Sequence, residues 1–159
     1  MNDTKKQKFF AVSIRDLQLA YTFSSHLQAN NLFMFPWSYR NTRYTEQTSF
    51  TLSLVVSYSR PFSIDKYAQE IGKFCLFTPA QNILHKKILD FRNQIYAHSD
   101  LRHYDFKYFT ETEFYNVEQV PFMRIERKEN VELRKMIRII LKHVKVEEVR
   151  LRKILYLNN

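Results

Sequence analysis

Apolar residues recur at helical intervals over most of the chain, which predicts a set of amphipathic helices. The clearest stretch is 130–156, where apolar residues follow an i, i+4, i+7, i+8, i+11 pattern. Similar but shorter patterns predict helices at 13–29, 44–59 and 79–98, with a short helix at 63–75. Strand-like alternation is rare by comparison, so the pattern predicts an all-α bundle forming a single domain over residues 1–159.

Polar residues and prolines mark the expected helix ends. Ser13 is a candidate N-cap for the first helix, and the asparagines at 30–31 are expected to end it. Thr78 is the expected N-cap of the 79–98 helix, because Pro79 then takes the first helical position, where a missing N–H costs little. The remaining boundary residues are Pro61, which should stop the second helix, and Ser63 or Asp65, which should open the short one.

Residues 104–127 depart from the helical pattern: they are rich in aromatics and partly alternate, which favours a small hairpin or an irregular excursion between the last two long helices.

The apolar stripes also predict which side chains form the core. The predicted core residues are Leu84, Ile88, Phe91, Ile95, Ile137 and Ile140, together with Leu133, Leu141 and Val144 on the last helix and Leu17, Ala20, Tyr21 and Leu27 on the first.

Composition narrows the possible functions. The chain has one glycine, Gly72, and both the Walker loop and the dinucleotide fingerprint need several, so those nucleotide-binding classes are excluded. Cys75 is the only cysteine, so an internal disulfide is impossible and a reducing compartment is expected. The longest apolar stretch, 50–58, is far too short to span a membrane. We therefore expect a cytoplasmic protein with no membrane partner.

The chain is strongly basic, with a formal net charge of +9. Such a charge favours binding to polyanions, since each phosphate contact releases counterions. The last predicted helix carries a basic face that is either a solvated surface or a surface for nucleic acid or an acidic partner. Its members lie beside the apolar stripe, within an arc of about 100°: Arg134, Lys135, Arg138, Lys142 and Lys145.

The stretch RNQIYAHSD (92–100) places an arginine, an asparagine and a histidine at the end of an amphipathic helix. These side chains suit RNA cleavage by internal transesterification. Arg92 can neutralise charge on the phosphorane of that reaction, His98 can transfer protons near neutral pH, and Asn93 can orient a phosphate oxygen. Arg92 and His98 lie about 9 Å apart along the helix and about 120° apart around it, so one copy serves a single phosphate poorly. A twofold interface would bring two copies of each residue into one cleft.

A structural role accounts for the same residues. His98 can bond the last carbonyls of the helix, and Arg92 can pair with Asp100 or with an acidic residue of a neighbouring helix. Histidine spacing gives no zinc motif, so no metal or other cofactor is expected. Four further residues are candidates for contacting RNA: Lys86, Lys87, Tyr96 and Ser99. Burial, capping or simple solvation are the competing roles for these residues.

The run LHKKILDFRNQIYAHSD resembles the HEPN superfamily of helical-bundle proteins, whose motif is an arginine, often followed by a polar residue, and then a histidine after four to six intervening residues. The segment YSRPFS (58–63) is similar to one found upstream of the motif in a bacterial branch akin to phage-defence and toxin families. The resemblance implies a metal-independent endoribonuclease with paired motifs at a homodimer cleft, with Arg92, Asn93 and His98 as site residues. RNA, a second copy and an antitoxin protein are the implied partners. Some members of the superfamily are non-catalytic binding modules, which leaves a module for nucleic acid or protein as the alternative.

Overall fold

The structure, a computed structural model, describes residues 3–33, 42–63, 67–97 and 124–157, with the side chains of residue 42 and of residues 94–97 excluded. Over these residues the chain is helical, with no strand, and the predicted all-α fold is confirmed. The predicted excursion at 104–127 lies almost wholly outside the described residues. The helices are α1 (Asp3–Ala29), α2 (Thr42–Ser59), α3 (Ala68–Gly72), α4 (Pro79–Ala97) and α5 (Arg127–Leu157), with a 3-10 turn at Arg60–Phe62 between α2 and α3.

Helix α1 begins ten residues before its predicted start, so the expected N-cap at Ser13 is wrong. Ser13 is instead a buried residue within the helix. Tertiary contacts extend the helix towards the N-terminus: Phe10 is fully buried, and the Lys6 ammonium pairs with the Glu70 carboxylate at 2.5 Å. These contacts are between residues distant in the sequence, which is why local capping signals did not reveal them.

The C-terminal end of α1 is where the sequence placed it. Asn31 has a positive φ of 54°, the left-handed conformation that asparagine tolerates better than most residues. The backbone N–H of Leu32 donates to the carbonyl of Leu27 at 2.9 Å, which closes a Schellman-type turn. The side-chain amide of Asn30 also donates to the His26 carbonyl at 3.0 Å.

Helix α2 ends at Ser59, and Pro61 follows it in the 3-10 turn, as its position in the sequence predicts. The short helix predicted at 63–75 is smaller than expected, since α3 covers only Ala68–Gly72. Ser63 is not its N-cap: its hydroxyl donates back to the carbonyl of Arg60 at 2.7 Å. Asp65 lies outside the described residues. After α3 the chain continues through tight turns, with the N–H of Cys75 donating to the Gly72 carbonyl at 3.0 Å.

Helix α4 opens with the cap that the sequence predicts. The Thr78 hydroxyl accepts a hydrogen bond from the Gln81 N–H at 3.3 Å, and the Gln81 side-chain oxygen accepts one from the Thr78 N–H at 2.9 Å. This reciprocal pair is a capping box, which satisfies two N–H groups that the helix leaves without partners. Pro79 then occupies the first helical position.

Helix α5 begins three residues before its predicted start. The Glu129 carboxylate accepts a hydrogen bond from the N–H of Glu126 at 2.9 Å and so helps to cap the first turn. Asn130, the predicted first residue, is fully buried inside the helix. Its side-chain oxygen accepts a hydrogen bond from the Ser24 hydroxyl at 2.7 Å, which joins α5 to α1.

Side-chain contacts fix the helix directions. Gln7 bonds to Glu148 and Ser24 bonds to Asn130, so α1 and α5 are antiparallel. The ring of Phe23 contacts that of Phe50, while Asp16, nearer the start of α1, faces Arg60 just beyond α2; these two helices are therefore also antiparallel. Helix α4 contacts both α2 and α5. It runs antiparallel to α5, as the Gln81–Glu132 and Lys87–Glu129 contacts show.

One apolar core lies between the helices. Of the predicted core residues, Ile88, Ile137 and Ile140 are fully buried, Leu84 is nearly so, and Phe91 is half-buried against the core. The side chain of Ile95 lies outside the described residues. The stripes predicted for α1 and α5 are confirmed by their fully buried members Leu17, Ala20, Leu27, Leu133 and Val144, with Tyr21 and Leu141 packed at the edge.

Within the described segments, none of the helices is both long enough and apolar enough to cross a membrane.

Candidate functional site

The Arg92–Asn93 pair lies in the last turns of α4. The Arg92 side chain is half-buried and that of Asn93 is exposed. Because α4 runs antiparallel to α5, its C-terminal end lies where α5 begins and α1 ends. His98 and Ser99 lie outside the described residues, as does the side chain of Tyr96, so the relation of Arg92 to His98 stays a prediction.

The two lysines ahead of the motif have different surroundings. Lys87 donates to both carboxylate oxygens of Glu129, at 2.7 and 2.8 Å, and its ammonium lies 5.4 Å from the centre of the Phe91 ring. It therefore already has an acidic partner on α5. Lys86 is exposed. Of the two candidates for contacting RNA, Lys86 is the more open to solvent.

A polar pair that the sequence did not single out lies between α2 and α4, where Tyr58 is buried and His85 is half-buried. The Tyr58 hydroxyl and the Nδ1 atom of His85 lie 2.7 Å apart, and the His85 ring also packs edge-on against Phe62, with ring centres 4.7 Å apart. Burial raises the pKa of Tyr58 well above its usual value and lowers that of His85. Both groups are thus held in their neutral forms, which suits a structural hydrogen bond better than proton exchange with a substrate.

Cys75 lies near this pair and is half-buried. Burial raises the pKa of its thiol to about 12, so the thiol stays protonated at neutral pH. Its sulfur donates weakly to the carbonyl of Ile71 at 3.7 Å. Such a thiol is a poor nucleophile. Among the described residues, no three His, Cys, Asp or Glu side chains come together as a metal site.

Two arginines of α5 converge on one tyrosine of α1. The Tyr21 hydroxyl accepts hydrogen bonds from Arg134 at 3.0 Å and from Arg138 at 2.5 Å. Both guanidinium groups also lie over the Tyr21 ring, 4.9 and 5.2 Å from its centre. The hydrogen bond from Arg134, supported by that from Arg138, lowers the pKa of the phenol below its usual value. We call these three residues the Tyr21 cluster.

The acidic residues of α5 face its neighbours. Glu129 pairs with Lys87 of α4, and Glu132 accepts a hydrogen bond from Gln81 of the same helix at 2.6 Å. On the side of α1, the Glu148 carboxylate accepts from Gln7 at 2.7 Å, and Glu147 lies 3.9 Å from Lys6. The acidic groups thereby contact α1 and α4, and three of them also pair with basic residues of α5: Glu132 with Lys135 at 2.9 Å, Glu147 with Arg150 at 2.6 Å and Glu148 with Arg152 at 2.7 Å. The rest of the outer surface of α5 is left to basic side chains without a carboxylate partner among the described residues.

Wheel positions define that outer surface, which we call the basic arc. It spans about 100° of α5, and within it every residue is basic, a valine or a tyrosine. The members are Arg127, Val131, Arg134, Lys135, Arg138, Lys142, Lys145, Val149, Arg152, Lys153 and Tyr156. Among them Arg134 is half-buried and the rest are exposed.

The described residues thus define an all-α bundle of antiparallel helices with a strongly basic outer face on α5. Comparisons with family models, with curated proteins and with solved structures found no match.

Proposed function

We propose that the protein is a metal-independent endoribonuclease that cleaves RNA by internal transesterification at a homodimer cleft. In this reaction the 2′-oxygen of the RNA forms a bond to the adjacent phosphorus, and the bond from phosphorus to the 5′-oxygen breaks. One His98 takes the proton from the 2′-hydroxyl, and the second copy returns a proton to the leaving 5′-oxygen. Arg92 stabilises the phosphorane charge and Asn93 supports the phosphate.

One observation carries this proposal: Arg92 and Asn93 follow the apolar stripe of α4 at the end of the bundle, where Asn93 is exposed and Arg92 is only half-buried. An arginine and an amide in adjacent positions suit a phosphate, and the sequence continues to a histidine within two turns. Resemblance of this run to the HEPN motif supports the same chemistry, and a role as a toxin or phage-defence component accords with that resemblance.

The alternative is a non-catalytic helical module that binds nucleic acid or a protein partner. The basic arc favours it, since an arc of cations binds a polyanion without any chemistry at α4. An antitoxin protein would be a partner in either case.

A cleavage assay in the presence of EDTA distinguishes the two functions. The wild-type protein should cut single-stranded RNA and leave a 2′,3′-cyclic phosphate, because the attacking oxygen belongs to the RNA. The corresponding DNA should remain intact. His98→Ala should abolish cutting, and Arg92→Ala should slow it by on the order of a hundredfold. Asn82→Ala is the matched control on α4, since Asn82 is exposed in the first turn, far from the motif, and the rate should not change.

Assembly is measured alongside, because the proposed chemistry needs two histidines. Light scattering at micromolar concentration should give the mass of a dimer. Cutting that is lost with EDTA, that persists in His98→Ala, or that acts equally on DNA would contradict the mechanism. A protein that binds RNA but never cuts it would favour the non-catalytic module.

A further inference from the structure

We propose that Tyr21, Arg134 and Arg138 form a binding site for a backbone phosphate of a nucleic-acid strand, and that the basic arc carries the strand onwards along α5. The site is built from α1 and α5, and it does not depend on the proposed cleavage at α4.

The hydrogen-bonding capacity of the Tyr21 cluster is that of an anion site. The Tyr21 oxygen has two lone pairs, and both already accept hydrogen bonds from guanidinium groups. The hydroxyl can therefore act only as a donor towards a further ligand. The two guanidinium groups hold more N–H donors than this one oxygen can use. Three donors from two helices thus meet at one point, which is the arrangement that an anionic oxygen requires.

The charge of this cluster is not neutralised within the protein. Neither Arg134 nor Arg138 pairs with a carboxylate in the part of the chain that the structure describes. The Nε atom of Arg134 is buried without an acceptor there. Two guanidinium groups held together on one phenol repel each other, and a bound anion would relieve that repulsion. Hydrogen bonds and cation–π contacts to Tyr21 hold the two cations together, and they leave the positive charge of the pair without a carboxylate among the described residues.

The surroundings favour a linear polyanion over a membrane. From Arg134 to Lys145, a length of about 16 Å, the basic arc holds only cations: Arg134, Lys135, Arg138, Lys142 and Lys145. A helix that lies on a bilayer needs apolar side chains on the same face to enter the lipid, and this stretch of the arc has none. A row of cations instead suits the repeated phosphates of a nucleic-acid strand.

Binding of a fluorescent single-stranded DNA 12-mer tests the site, because DNA lacks the 2′-hydroxyl and cannot be cut by the proposed reaction. Tyr21→Phe removes the hydroxyl at constant charge and should weaken binding by on the order of tenfold. Arg138→Gln should weaken it at least as much and should reduce the slope of log K against log salt by about 0.7. Arg138→Lys keeps the charge but loses the planar fork, so its affinity should be intermediate.

Two variants serve as matched controls. Arg150→Gln makes the same charge change outside the basic arc, where Arg150 pairs with Glu147 at 2.6 Å, and should have a much smaller effect than Arg138→Gln. Thr48→Val removes an exposed hydroxyl on α2, outside both the basic arc and the Tyr21 cluster, and should bind like the wild type. Circular dichroism and a thermal melt of each variant confirm that α1 and α5 remain packed.

The site assignment fails if Tyr21→Phe binds the 12-mer as well as the wild type does, or if Arg150→Gln loses as much affinity as Arg138→Gln. Two competitors are measured separately: vesicles that contain phosphatidylserine, and free inorganic phosphate in solution. Tighter binding to the vesicles, with the same dependence on the Tyr21 hydroxyl, would make this a lipid site and overturn the assignment to nucleic acid.

Discussion

Tyr58 and His85 place a polar contact inside an apolar layer between α2 and α4. Their 2.7 Å hydrogen bond satisfies both groups, and the rings of Phe62 and Phe77 contact the His85 ring. A buried hydrogen bond adds little net stability, but removal of one partner leaves the other without water or protein to bond. The pair therefore fixes how α2 and α4 pack, and it makes the fold sensitive to the charge on one histidine.

Protonation of His85 should destabilise the fold. Burial lowers the pKa of His85 in the folded protein below its ordinary value of 6.5. As the pH falls through about 6.5, the unfolded chain takes up a proton that the folded state resists, so stability is lost below that pH and is fully present above it. Urea unfolding at about pH 7.5 and about pH 5.5 should show a lower free energy of unfolding in acid, with His85 contributing at most about 1.4 kcal/mol over this range.

His85→Asn is the control for this pH dependence, because asparagine keeps a polar atom near the position of Nδ1 and does not titrate. The other histidines remain in both proteins, so the difference between the two pH profiles isolates His85. A variant with the same acid sensitivity as the wild type would show that His85 is not the group responsible.

At the scale of helices, local sequence predicted the ends that local bonds determine. The cap at Thr78 and the end of α1 at the asparagines 30–31 depend on residues within a few positions of each other, and both are found as expected. The left-handed conformation of Asn31 is how the second of these ends is made. The start of α1 depends on Phe10 and Lys6, whose partners lie far away in the sequence, and there the prediction was wrong. Helix ends fixed by packing are not encoded in a short window of residues.

The same limit applies to the functional residues: local patterns in the sequence indicate candidates, but they miss contacts between residues that are distant in the sequence. Arg92 and Asn93 were singled out as candidates because their motif is contiguous, and their role stays a prediction. The basic face of α5 follows from wheel positions alone. The convergence of Arg134 and Arg138 on Tyr21 was not predicted, since Tyr21 lies more than a hundred residues away in the sequence. A signal was present nonetheless: Tyr21 sits at the edge of the apolar stripe of α1, a usual position for a side chain with one apolar and one polar end.

Loss of the capping box should weaken α4 measurably. Thr78→Ala removes the hydroxyl that accepts from the Gln81 N–H, and the free energy of unfolding should fall by about 1 kcal/mol. Thr48→Ala is the matched control, because Thr48 is exposed within α2 and its replacement should change stability by less than about 0.5 kcal/mol. Urea denaturation of both variants makes the comparison. Equal stabilities would show that the first turn of α4 is held by other contacts.

Over the whole molecule, the distribution of charge is uneven in a way that opposes stability. The four glutamates of α5, which are Glu129, Glu132, Glu147 and Glu148, contact α1 or α4, while the basic arc faces outwards. On a helix, like charges four residues apart destabilise by about 0.2–0.5 kcal/mol per pair. Arg134, Arg138 and Lys142 form a run of such pairs. This row of like charges therefore costs some stability, which the proposed binding of a polyanion would offset when the ligand is present.

Lys142→Glu should separate the two effects. Lys142 is exposed and has no partner among residues 3–33, 42–63, 67–97 and 124–157. A glutamate there would face Arg138 four residues before it and Lys145 three residues after it, which replaces two repulsive pairs with two attractive ones. The free energy of unfolding at low salt should then rise by about 0.8–2 kcal/mol, and the gain should shrink in 0.5 M NaCl, where exposed charges are screened. Affinity for the DNA 12-mer should fall several-fold in the same variant, because the arc loses a cation and acquires an anion next to the Tyr21 cluster. Lys142→Gln should show a smaller change of the same sign in both measurements. A variant that gains stability and still binds DNA as tightly as the wild type would mean that the basic arc is only a solvated surface.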